Sequence, residues 1–133
     1  MEQEPATSLT AGLTARVELT VTDADTAQAL GSGDVPVLGT PRLLALAEAA
    51  TVVATAAKLS PGTTTVGTRV ELDHTAPSPV GATVVANAAL AKVDGRRLLF
   101  EVRITAGDTT VGEARIERQV VDRQQFVTRA FGE

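Results

Sequence analysis

The chain has 133 residues, enough for one domain with a single core, and no shift in composition divides it in two. A formal charge of −4 has the wrong sign for a nucleic-acid face, and the lack of cysteine excludes disulfides and thiolate metal sites. Only three residues are aromatic, all Phe, so a chain that is 44% hydrophobic must build its core from Val, Leu and Ala.

Residues 1–8, MEQEPATS, read as a flexible tail, acidic and polar where a signal peptide is basic and then apolar, which predicts a cytoplasmic protein. From Leu13 to Val21 the chain alternates. Leu13, Ala15, Val17, Leu19 and Val21 share one face and Thr14, Arg16, Glu18 and Thr20 the other, the pattern of a half-buried strand. Thr22 to Gly39 carries Asp23, Asp25, Gly31, Gly33, Asp34 and Pro36 and reads as a loop, with one helical turn around Asp25 to Leu30.

Thr40 to Leu59, TPRLLALAEAATVVATAAKL, is the long helix. Thr40 can cap the first turn, Pro41 suits the first helical position, and Ala and Leu, both strong helix formers, dominate the rest. It is apolar almost all round, which predicts burial, and Ser60, Pro61 and Gly62 stop it. Arg42, Glu48 and three threonines interrupt it too often for a membrane span. Glu48, Thr51 and Thr55 stand at i, i+3 and i+7, a polar seam that reads either as the exposed edge of the helix or as part of a site.

Everything after the helix reads as strand. Thr64 to His74 sets Val66, Val70, Leu72 and His74 on the core parity and Gly67, Arg69, Glu71 and Asp73 on the other. Pro77, Pro79 and Gly81 break the chain before a third strand, Ala82 to Val93, and Asp94-Gly95 predicts a type I′ hairpin. Leu98, Phe100, Val102 and Ile104 face inward on the fourth strand. Beyond Gly107-Asp108, the fifth strand turns Gly112, Ala114, Ile116, Arg118 and Val120 inward, an arginine among apolar neighbours. From Asp122 the chain is polar and leaves the sheet, so 9–126 is read as the domain and 127–133 as a tail. One strand, one helix and four strands, the last three a meander, predict an α+β protein: a single hotdog domain, its antiparallel five-stranded sheet wrapped around one long central helix. Open sheet edges predict a homodimer with a continuous sheet.

The side chains that violate the apolar pattern are Thr40, Glu48, His74 and Arg118. A hydroxyl, a carboxylate and an imidazole are the set from which acyl-transfer sites are assembled. Each also has a purely structural reading: a capping threonine, a satisfied core histidine, an arginine that pairs a carboxylate. Eight helical residues put roughly 12 Å of rise between Thr40 and Glu48, so a site using both calls on a partner protomer. Asp73-His74 lacks further ligands at metal spacing, and Gly31-Ser32-Gly33 follows no strand, so neither a metal nor a dinucleotide site is indicated.

From about Gly39 to Phe126 the chain resembles the fluoroacetyl-CoA thioesterases and their relatives among the hotdog thioesterases. The resemblance rests on Thr40 with Leu46 and Glu48, on Gly67-Thr68 leading to His74-Thr75-Ala76, on Gly95-Arg96-Arg97-Leu98, and on Glu117-Arg118. It implies a homodimeric hydrolase of acyl-CoA thioesters that needs neither metal nor cofactor. It also implies that Thr40, Glu48 and His74 form the catalytic group and that Gly67 and Arg118 bind substrate. Where that enzyme has lid phenylalanines this chain reads Gly33-Asp34-Val35-Pro36-Val37-Leu38, so a fluorinated acyl group is not implied. The expectation is a short-chain acyl-CoA thioesterase, and the alternative a non-catalytic hotdog protein that binds a CoA ester or a small hydrophobic acid. Two mechanisms stay open: Thr40 attacks with His74 as base and Glu48 orienting the imidazole, or Glu48 acts as base or nucleophile while Thr40 and His74 position the thioester.

Overall fold

The computed structural model describes residues 9–132, and the tail expected over 1–8 lies outside them. Strands β1 (Thr14–Thr20), β2 (Thr63–His74), β3 (Thr83–Asp94), β4 (Arg97–Ala106) and β5 (Thr109–Asp122) form one antiparallel sheet in the order β1-β3-β4-β5-β2. A 3₁₀ turn (Asp23–Asp25), helix α1 (Ala27–Leu30) and helix α2 (Thr40–Ala56) lie between β1 and β2, and α3 (Arg123–Ala130) follows β5. Helix α2 packs on the inner face of the sheet, chiefly over β1 and β3, which is the expected hotdog arrangement.

The alternation read from the sequence builds the core. Leu98, Phe100, Val102 and Ile104 of β4 are buried together with Val84, Ala86, Ala88 and Leu90 of β3. In the same core cluster α2 sets Leu43, Leu46, Ala47 and Ala50, all buried. Full burial of each leucine stabilises by about 1.5–3 kcal/mol. The helix is nevertheless buried on one face only. Val52 and Val53 are 43% and 55% exposed, because a single sheet covers one side of a rod, and this corrects the expectation of burial all round. The polar seam runs on the covered side: Thr51 and Thr55 are buried, and Thr51 donates to the Glu48 carbonyl at 2.6 Å.

Helix α2 ends at Ala56 rather than Leu59, where the Lys58 N–H turns back to the Thr55 carbonyl. At its start the cap is Gly39, not Thr40. The Gly39 carbonyl accepts from the N–H groups of Arg42 and Leu43, Thr40 is the first helical residue, and its hydroxyl is left for another partner.

Strand β2 departs from simple alternation at Thr68. Gly67 pairs with Arg118 and Arg69 with Glu117, so Thr68 is an extra residue, a β-bulge. Val70, Leu72 and His74 keep the inward parity, but upstream of the bulge it is Thr65 and Gly67 that face the helix and Val66 that faces away, the reverse of the expected parity. The β3–β4 hairpin also shifts by one residue. Asp94 pairs with Arg97, the loop is Gly95-Arg96, and Gly95 alone has a positive φ (61°), the requirement of a II′ turn rather than I′. After β5 the chain forms α3, capped by the Asp122 carboxylate accepting from the Gln125 N–H at 2.9 Å, and this helix runs across position 127. Among the described residues no helix is long and apolar enough to cross a membrane.

Candidate active site

Thr40 opens α2 and His74 closes β2, and this junction brings together two residues 34 positions apart: Oγ1 of Thr40 lies 2.8 Å from Nδ1 of His74. Both line a cleft of about 370 Å³ walled by Val35, Val37 and Leu38 before α2 and by Ala76 and Pro77 after β2. Burial pushes the His74 imidazole below its ordinary value, and the Ala76 backbone offsets part of that shift. The ring is therefore neutral at pH 7, with one nitrogen able to accept. Nε2 is buried with no hydrogen-bond partner among the described residues. With the proton on Nε2, Nδ1 accepts from the Thr40 hydroxyl, the relation of a base to a latent oxygen nucleophile. Thr40 also stands at the positive end of the α2 dipole, which favours negative charge developing there.

The wall before α2 is fastened to the first turn of that helix. Asp25 Oδ2 accepts from the Thr22 N–H at 2.7 Å and its hydroxyl at 2.9 Å, while Oδ1 accepts from Arg42 Nε at 3.0 Å. These bonds, the Thr22 N–H first, outweigh burial and hold the carboxyl below the usual range. Thr22 and Asp25 stand at the spacing of a capping box, a sequence signal that a reading of this segment as a loop overlooks.

Glu48, Gly67 and Arg118 form a second cluster. Arg118 is 7% exposed; its Nε donates to Thr65 Oγ1 at 2.9 Å and one terminal nitrogen to the Thr65 carbonyl at 3.0 Å. The other terminal nitrogen meets Glu48 Oε2 at 3.2 Å. Burial lowers the guanidinium pKa from its ordinary value and Glu48 opposes the shift, but an arginine stays charged at neutral pH. A Cβ on Gly67 would lie 2.7 Å from the same Glu48 oxygen and 3.4 Å from Arg118, so the bare backbone at 67 admits the carboxylate. Thr65, the anchor of the arginine, does not stand out in the sequence because the bulge hides its inward direction.

The five expected residues thus fall into two groups, Thr40 with His74 and Glu48 with Gly67 and Arg118. Within one chain, roughly 12 Å of helix rise separates Thr40 from Glu48, and the partner of Glu48 is Arg118 rather than His74. Among the described residues no three His, Cys, Asp or Glu side chains converge as metal ligands.

A sheet folded about one helix, with polar clusters where helix and sheet meet, is the architecture of the hotdog thioesterases. Comparison with known proteins agrees: residues 21–124 match the family model of the fluoroacetyl-CoA-specific thioesterase. The chain belongs to that family. It is 38% identical over 90 residues to the fluoroacetyl-CoA thioesterase of Streptantibioticus cattleyicolor, an alignment that takes in 68% of this chain and 65% of that one, just under two thirds of the relative. A solved structure of fluoroacetyl-CoA thioesterase superposes with a TM-score of 0.87 at 29% identity, covering 94% of this chain and 97% of that one. A mutant of the fluoroacetyl-CoA-specific thioesterase, solved with fluoroacetate and CoA, gives 0.83 at 31% identity, with 89% and 99% covered.

Proposed function

We propose that the protein is an acyl-CoA thioesterase that hydrolyses a short-chain acyl-CoA, with Thr40, Glu48 and His74 as its catalytic group and Gly67 and Arg118 binding substrate. The observation that carries this reading is the 2.8 Å contact between the Thr40 hydroxyl and a neutral His74 in an open, apolar-walled cleft. It favours Thr40 as nucleophile. The Thr40 oxygen bonds to the thioester carbon as its proton passes to Nδ1, the carbon–sulfur bond breaks, and the proton leaves with the CoA thiolate. Water then cleaves the acyl-threonine ester and restores the hydroxyl.

Glu48 and Arg118 join this chemistry from a second copy in a homodimer. Two features support the assembly. Strand β2 is an edge with unpaired backbone groups, and α2 exposes Val52 and Val53. Antiparallel pairing of two β2 strands centred between Val70 and Glu71 would set Gly67 of one beside His74 of the other. A CoA ester is an intracellular metabolite, which supports a cytoplasmic site of action.

The test is thiol release from acyl-CoA substrates of increasing chain length, acetyl-CoA included. Turnover is expected for short acyl groups, with a loss of about a hundredfold or more in Thr40→Val. Intact thioester after long incubation, with melting raised by ligand, would instead make the protein a CoA-ester binder.

A further inference from the structure

The Gly95-Arg96-Arg97 turn is among the segments that carry the family resemblance, yet nothing in the active-site geometry uses it. Arg96 of that turn forms one side of a groove of about 260 Å³ at the end of β5. The other side is one face of α3 and its cap, Asp122, Gln125, Phe126 and Arg129, at i, i+3, i+4 and i+7. We propose that this groove holds the 3′-phosphorylated ADP end of the CoA substrate, with the adenine on Phe126 and the phosphates between Arg96 and Arg129. The proposal rests on the acyl-CoA reading above.

Charge singles the groove out. The net charge is −4, and most arginines have carboxylate partners: Arg16, Arg69, Arg97 and Arg103 on the sheet, Arg42 and Arg118 inside. Among the described residues Arg96, Arg115, Arg123 and Arg129 have none, and two of these four, Arg96 and Arg129, line this one groove. Arg96 donates through one terminal nitrogen to the Val120 carbonyl at 3.3 Å, which steadies the side chain and leaves most of its donors free. The acidic residue lining the groove, Asp122, is engaged at the α3 N-cap. Phe126 is 38% exposed, an aromatic face open to a stacking base. Phosphates between arginines and a base on an aromatic ring are the contacts a nucleotide asks for.

Position agrees as well. Val120, in the groove wall, pairs with Thr65, and Thr65 holds Arg118. Four strand steps, roughly 13 Å, separate Arg118 from Asp122, a gap for the pantetheine arm to cross.

Adenosine 3′,5′-bisphosphate carries the base and two phosphates without a thioester, so its binding can be measured by calorimetry whether or not the protein is a hydrolase. Saturable binding is expected, weakened at least tenfold in the Arg96→Ala, Arg129→Ala double variant and several-fold in Phe126→Ala. In the same variants KM for acyl-CoA should rise about tenfold, while kcat/KM for the matching acyl-pantetheine thioester stays at the wild-type value. Bisphosphate binding that is absent, or equal in all variants, overturns the proposal. So does a groove that takes anionic vesicles or an acidic peptide and not the bisphosphate. Binding as expected without any hydrolysis would leave the groove intact and remove only the thioesterase reading.

Discussion

Gly67 and Glu48 meet with no room for a carbon atom between them: a Cβ at position 67 would come within 2.7 Å of the Glu48 Oε2. The atom in the way is the far end of a flexible side chain, and Gly67 has no positive φ, so the conflict falls on the carboxylate and not on the fold. Gly67→Ala should therefore fold at a cost of about 1 kcal/mol and lose at least tenfold in kcat/KM as Glu48 swings away from Arg118. Thermal melting and thiol release on one preparation separate the two effects, and full activity would remove Gly67 from the site.

The two polar clusters can be tested for membership of one site by mixing chains. Glu48→Gln and His74→Ala should each be nearly inactive alone. If Glu48 serves the Thr40 and His74 of a partner, a heterodimer of the two variants has one site with every group intact. Unfolding and refolding them together should then recover roughly a quarter of wild-type activity by random assortment. No recovery would mean that the two clusters do not work across an interface.

His74 predicts the acid limb of the pH profile. Its pKa is lowered by burial, so the base is lost only as pH falls through a value below about 6.5, and kcat/KM should hold from neutrality down to that point. The same shift sets the sign for stability: the unfolded chain takes up this proton more readily than the folded one. The His74 contribution is complete above the unfolded pKa and is lost as pH drops from there through the folded value. Denaturant midpoints of wild type and His74→Ala between pH 8 and pH 5 should converge on the acid side, and parallel curves would contradict the shift.

The Thr55 hydroxyl of α2 is buried with no hydrogen-bond partner among the described residues. Valine has nearly the same shape without the stranded polar atom, so Thr55→Val should stabilise the fold by about 1 kcal/mol. A drop in melting temperature would show that the hydroxyl has a partner in the assembled protein.

Periodicity is enough to reveal most of the fold. Leu98, Phe100, Val102 and Ile104 announce an inward strand face by a rule that needs only near neighbours, and all four are buried. The inward Arg118 is legible in the same way. The features that escape depend on the third dimension. Val52 and Val53 look no different in sequence from Leu43 and Leu46, and only the reach of one sheet decides which pair is covered. Thr40 reads as a cap because its type allows it; the His74 nitrogen claims its hydroxyl from across the fold. Thr65 stays hidden when alternation is carried unbroken through Thr68, where the backbone gains a residue.

That extra residue sets the rules for how the chain can vary. Because the bulge takes up one position, Thr65 and Gly67 before it and Leu72 and His74 after it all turn to the helix, and a chain lacking Thr68 would keep that facing by plain alternation. Were Thr68 instead drawn into the pairing as an ordinary residue, one half of the strand would face outward, taking with it either the anchor of the guanidinium or the imidazole. Position 68 is thus a place where the strand can shed a residue but cannot straighten.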